Sequence, residues 1–322
     1  MVRLLRKKFY NISIMIGLKS FWNILKKAGE SFVADNGMKL SASLSYYTIF
    51  SLCPILIIIM SLAGVVFGRD AVQGRIYYQI KGLVGSDAAI QVQEIIGNIE
   101  KSQHGTGGAI IGAVLLIFGA TGVFTEIQDS INYIWSVKAK PKKGWLKYLS
   151  NRAISFSLLV GIGFVLLVAL VVNALMDLLN DRLEKVLPTY SVYLFYSVSL
   201  LLILVIISTL FTVIYKVLPD AVIAWKDAMV GAIFTTVLFL IGKFLIGYYL
   251  GNSNIGVTYG TAASIVIILL WVYYSSIILY FGAEFTRMYA IHAGKGIKPN
   301  ETAVFIIKQE AKEIPSPEKS AE

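Results

Sequence analysis

The chain has 322 residues, of which 57% are hydrophobic and only 15% charged, and its mean hydropathy is +0.71. That balance excludes an ordinary soluble domain, in which about a quarter of residues are charged. The net charge of +10 is divided unevenly among the loops, which suits anionic lipid headgroups better than nucleic acid.

The first 39 residues are read as a segment on one membrane face. Met1 to Tyr10 is basic, but residues 11–39 never supply an uninterrupted apolar core with a small-residue cleavage site, so the segment is expected to stay on the mature protein. Leu18, Phe21, Trp22, Leu25, Ala28 and Phe32 recur at helical spacing, with Lys19, Lys26 and Lys27 elsewhere on the turn. That pattern predicts an amphipathic helix lying in the interface and leading into the membrane.

Six apolar stretches follow: Leu40 to Phe67, Gly107 to Phe124, Ile154 to Met176, Tyr190 to Tyr215, Ala228 to Leu250 and Thr261 to Phe285. A hydrocarbon core of about 30 Å needs roughly 20 apolar residues at the helical rise, and lipid obliges the backbone to satisfy itself. The predicted fold class is therefore all-α: a polytopic bundle of six transmembrane helices over 40–289, preceded by the interfacial helix. Of the 29 Lys and Arg residues, 22 fall in 1–39, 125–153, 216–227 and 284–322, and 6 in the intervening loops. By the positive-inside rule both termini are cytoplasmic, in what would be a bacterial inner membrane.

Outside the spans, residues 70–103 form the long external loop, expected as two short helices capped by Asp70 and Ser86 and broken at Gly82 and Gly85. The cytoplasmic tail, 290–322, is expected to be largely disordered, with a short helix over 300–312.

Polar residues inside the spans are concentrated. Span one carries Ser41, Ser43, Ser45, Tyr46, Tyr47, Thr48 and Ser51 before Pro54. These hydroxyls either line an aqueous path or bond to the preceding turn of a kinkable helix. Span two has glycines at 105, 107, 108, 112, 119 and 122, a face that lets a neighbouring helix approach. The single cysteine, Cys53, excludes a disulfide framework and a thiolate metal site.

Ionisable groups at membrane depth are functional candidates, because each is costly unless it faces protein, water or a headgroup. Lys243 stands seven residues before Leu250 in span five, either snorkelling outward or facing the bundle interior toward an anion. Glu284 lies near the inner end of span six. Glu126 and Asp129 lie at the inner end of span two on a face continued by Asn132 and Tyr133, where ion pairing with Arg152 or Lys216 is expected.

Several runs resemble the YihY/BrkB family of bacterial inner-membrane proteins. They are Ser41 to Pro54 (SASLSYYTIFSLCP), Thr121 to Trp135 (TGVFTEIQDSINYIW), Tyr215 to Asp220 (YKVLPD), Tyr259 to Ile265 (YGTAASI), Leu270 to Tyr274 (LWVYY) and Gly282 to Glu284 (GAE). The resemblance implies a six-helix membrane protein, in a family with members linked to virulence or serum resistance and others thought to move lipids or small solutes. It also brings an old label, ribonuclease BN. The residues argue against that label: only His104 and His292 are present, on opposite sides by the topology, and no acid–base pair or metal-binding cluster is apparent. Nor is there a phosphate-binding loop of the Gly-x-x-x-x-Gly-Lys-Ser/Thr type.

The sequence is accordingly read as a non-enzymatic transporter or lipid-handling protein for an anionic lipid or small solute, with no cofactor. Its partners would be membrane lipids and other envelope proteins. Pathway candidates are Ser45, Tyr46, Tyr47, Ser51, Pro54, Glu126, Asp129, Asn132, Lys243, Tyr259 and Glu284. The competing reading is a scaffold of the envelope that transports nothing.

Overall fold

A computed structural model describes residues 18–51, 90, 93, 122–140, 188–252, 259 and 263–308. Within them the chain is mostly helical. Helix α1 is Leu18–Ala34, α2 covers 37–51 and α3 covers 122–134. The long helices are α4 (Pro188–Val217), α5 (Trp225–Gly251) and α6 (Ala263–His292). Four short strands complete the set: β1 (Val137–Ala139), β2 (Ala221–Val222), β3 (Lys298–Pro299) and β4 (Ala303–Phe305).

Among the described residues three helices are long and apolar enough to cross a bilayer: Ser197–Val217, Trp225–Leu250 and Ile265–His292. They correspond to the last three predicted spans, the final one running past Phe285. The beginning of span one is seen in α2 and the end of span two in α3. Span three, Pro54 and nearly all of the loop 70–103 lie outside the described residues.

Helix α5 sits between α4 and α6. Its Trp225, Met229, Ile233, Val237, Ile241, Phe244 and Tyr248 form an exposed stripe at steps of three and four, the lipid-compatible face of the helix. On the opposite face small residues let α6 come close. A Cβ built at Gly231 would stand 1.8 Å from Thr286 Oγ1, and one at Gly282 would stand 2.0 Å from Thr235 Oγ1. Glycine at both positions is what allows this approach.

The apolar stripe of α1 is spent on protein. Ile24 and Ala28 pack with Phe285, flanked by Phe21, Leu25 and Phe234, and the Phe234 and Phe285 rings stack at 3.8 Å. Burying side chains the size of Ile24 and Phe32 contributes about 1.5–3 kcal/mol each. Trp22 stays exposed. The helix ends where Asn36 adopts a left-handed backbone, φ 54°, which Asn tolerates better than most residues. The Asn36 carbonyl then accepts from Lys39 and Leu40 and starts α2.

The tail differs from expectation. Over 300–308, in place of the start of the helix expected over 300–312, the residues after α6 form a strap, and the rest of that expectation, with the disordered end, falls on 309–322, outside the described residues. The β-branched residues Thr302 and Val304 suit extended backbone, and a waiting edge at β1 captures the segment. β4 pairs antiparallel with β1, and β3 with β2. Asp227 at the first turn of α5 accepts from the Lys295 amide at 2.9 Å, tying down the start of the strap.

Candidate functional site

The described parts of the four segments that carry most of the basic residues meet at one end of the bundle. The α1–α2 turn, the α3–β1 junction, the α4–α5 connection and the strap all touch there, around a core that includes Ile131, Ile134, Trp135, Leu218, Ile223 and Ala283. Two polar centres are built into this end.

The first is a clasp between α3 and the α4–α5 connection. Asp220, in the YKVLPD run, accepts at Oδ2 from Asn132 Nδ2 at 3.0 Å and from Gln128 Nε2 at 3.2 Å. Asn132 Oδ1 in turn accepts from the Asp220 amide at 2.8 Å. All three residues are buried. The spacing of Gln128 and Asn132, one turn apart, puts both amides on the same side of α3. Trp135 extends the same junction by donating its indole N–H to the Ala283 carbonyl at 3.1 Å.

The second centre is a cluster of charges. Arg287 Nη1 lies 3.8 Å from Asp35 Oδ2 and 3.8 Å from Glu284 Oε2. Lys308, carried by the strap, pairs with Asp35, donates to the Ile134 carbonyl at 3.3 Å and lies over the Tyr133 ring. Burial holds its ammonium below the ordinary lysine value, against the pull of Asp35. Arg287 Nη2 also donates to Ser136 Oγ at 3.1 Å. Ser136 is itself in the left-handed region, φ 57°, a cost of about 1 kcal/mol or more offset by its contacts: its carbonyl accepts from the Ile306 amide at 2.9 Å. Glu284 is 0% exposed, and neither carboxyl oxygen has a hydrogen bond.

The sequence candidates are placed as follows. Ser41, Ser45, Thr48 and Ser51 each donate to the carbonyl four residues earlier, at 2.6–2.9 Å, as expected of hydroxyls that bond to the preceding turn. Tyr46 and Tyr47 are exposed, as is Tyr259. Glu126 is partly buried. Asp129 is exposed as a residue, yet its carboxyl is held above the ordinary range, first by desolvation and then by Glu126 and Asp220. Lys216, expected as an ion partner here, instead donates to the Ile223 carbonyl and lies over the Trp225 ring. Arg152 lies outside the described residues.

Lys243 is half-buried. It stands two turns after Thr236 on the stripe of α5 that faces α4, where Ser208 Oγ donates to Thr236 Oγ1 at 3.1 Å and the Phe211 and Phe239 rings meet. Nearby, Tyr215 donates to the Leu279 carbonyl at 2.8 Å and touches Thr235 Oγ1 at 3.0 Å, joining α4, α5 and α6.

Sequence reasoning missed Asp35, Asp220, Arg287 and Lys308. Only Asp220 carried a local signal, as the acid that follows Pro219 directly after a span.

A sequence profile described as virulence factor BrkB matches residues 28–304. A UPF0761 membrane protein of Azotobacter vinelandii is 29% identical over 276 residues, covering 82% of this chain and 62% of the relative. One from a Psychrobacter species is 27% identical over 292 residues, covering 89% and 52%. One from Pseudomonas aeruginosa is 27% identical over 264 residues, covering 78% and 59%. The chain thus spans somewhat over half the length of these curated relatives. No solved structure matches. With most of its length matched by the family profile and three bilayer-length helices in the structure, the chain is a membrane protein of the BrkB family.

Proposed function

We propose that the chain is a transporter or lipid-handling protein for an anionic lipid or small solute, set in the bacterial inner membrane with the strap end in the cytoplasm. The observation that carries this reading is Lys243. Its cation is half-buried on the hydroxyl-bearing stripe between α5 and α4, while the lipid-facing stripe of α5 runs elsewhere around the helix. A cation there attracts a phosphate or carboxylate far more strongly than it would in water. The reading contains no bond-breaking chemistry, and ribonuclease activity is not expected of it.

A second reading, the non-transporting scaffold, is favoured by a different observation. The α5–α6 contact is closely packed around Gly231 and Gly282, and the α2 hydroxyls bond to their own helix. The Lys243→Met variant decides between them. In proteoliposomes holding a fluorescent anionic phospholipid, the parent chain should accelerate movement between leaflets and the variant should lose most of that acceleration. Lys243→Arg should keep part of it. A parent chain that moves no anionic lipid or solute supports the scaffold, and a Lys243→Met variant as active as the parent removes the proposed pathway.

A further inference from the structure

The cluster at the strap end is unevenly supplied with donors. Asp35 receives Lys308 and stands within ion-pair range of Arg287. Glu284 is the more deeply buried carboxyl, yet among the described residues it receives no hydrogen bond at either oxygen. Among the same residues its ion-pair contact is the same Arg287 nitrogen, at 3.8 Å, and that guanidinium is also committed to Ser136. An ionised carboxylate removed from water needs dedicated donors, and a carboxyl that lacks them keeps its proton instead. Asp35 Oδ2 and Glu284 Oε2 each lie 3.8 Å from the same Arg287 Nη1, which brings the two carboxyl groups together around one nitrogen. Two carboxyls so close cannot both ionise freely, and one proton between them relieves the repulsion.

We propose that Glu284 and Asp35 form a proton-binding site, one proton being held between the two carboxyl groups while the strap is closed over them. The groups that set its occupancy come from each neighbouring element: Asp35 from the α1–α2 turn, Arg287 from α6 and Lys308 from the strap. Glu126 and Asp129 of α3 act electrostatically on Tyr280, one turn earlier on α6. Glu284 is the proton's resting place, because Asp35 already has a cation of its own. Proton release takes the set of Asp35, Glu284, Arg287 and Lys308 from one net positive charge, carried by two partly exposed cations, to neutrality. The site is a property of the folded chain. Only the further step, that a proton is the coupling ion, rests on the transport reading.

The test is infrared difference spectroscopy of the full chain in lipid nanodiscs, following the carbonyl stretch of a protonated carboxyl with its deuterium shift. The parent should show such a band at neutral pH that disappears as pH rises. Glu284→Gln, which keeps shape and removes the acid, should abolish it. Asp35→Asn should also abolish it at neutral pH, because Glu284 then faces two cations with no rival carboxylate and ionises. No pH-dependent band in the parent, or a band that survives Glu284→Gln, overturns the proposal. Should Glu284→Gln fail to give monodisperse protein, Asp35→Asn decides alone, and a band unchanged in it is equally fatal. A chain that moves no lipid can still show the band, and one that moves lipid without it loses only the proton site.

Discussion

Replacing Asn132 by Ala removes a donor and an acceptor from one buried contact. The donor goes to the Asp220 carboxylate at 3.0 Å and the acceptor serves the Asp220 amide at 2.8 Å. A hydrogen bond to a charged group contributes about 1.5–3 kcal/mol, and an orphaned buried N–H costs about 1–3 kcal/mol. Gln128 still reaches Oδ2 at 3.2 Å and recovers part of the first amount. The expected loss is therefore about 3–5 kcal/mol, enough to threaten a domain of ordinary stability. Asp220→Ala alone strips both side-chain amides of their acceptor but leaves Asn132 free to serve the backbone. If the clasp is real, the double variant costs at least about 1 kcal/mol less than the sum of the singles. The measurement is unfolding in mixed micelles by denaturing detergent, with thermal melting in nanodiscs alongside. A loss under about 1 kcal/mol for Asn132→Ala, or additivity within about 0.5 kcal/mol, refutes the reasoning.

Gly231→Ala drives a methyl group onto Thr286 and should destabilise by about 1–3 kcal/mol, with Thr286→Ala giving partial relief, since the Thr286 Cβ itself is 2.7 Å from the new atom. An unchanged melting temperature would mean that α5 and α6 stand further apart. For Asp129, the fold binds the carboxyl proton more tightly than the unfolded chain does, so its contribution to stability falls as pH rises above the ordinary carboxylate range. Asp129→Asn should therefore stabilise at neutral pH by about 0.5 kcal/mol, a screened value for an exposed charge, and the gain should vanish in acid. In a Cys53→Ala background, probes at Ile307→Cys and Ser86→Cys should react from opposite faces, Ile307→Cys from the cytoplasm. It is 90% exposed at the strap end. Labelling of both from one face contradicts the charge-based topology.

The long helices were legible because the bilayer demands a length and a composition that few other elements share. α4, α5 and α6 appear where the apolar runs lie. The described parts of the four basic segments that the charge partition grouped together touch one another at one end of the bundle. The strap was not legible: strands of two and three residues carry no alternating pattern, and β4 exists because β1 offers it a partner 164 positions away at the Ala139–Ala303 pair. Nor was the charge cluster. Asp35 looks like the polar end of an amphipathic helix until Arg287 and Lys308 are brought to it, and no local spacing announces a contact across 273 residues. Glu284 was singled out for its depth, and it is fully buried. The span-one hydroxyls show the limit from the other side, since serine in a helix reads the same whether it faces water or its own backbone.

The contact between Lys308 and Asp35 spans 273 positions of the chain. During synthesis it cannot form until Lys308 has left the ribosome, and the seat of α1 against Phe285 and Phe234 is likewise absent until α5 and α6 are inserted. The first helix is thus made long before its binding surface exists. Its lysines and exposed Trp22 suit a headgroup layer in the meantime, and the emergence of Lys308 becomes the event that lets the contact with Asp35 close.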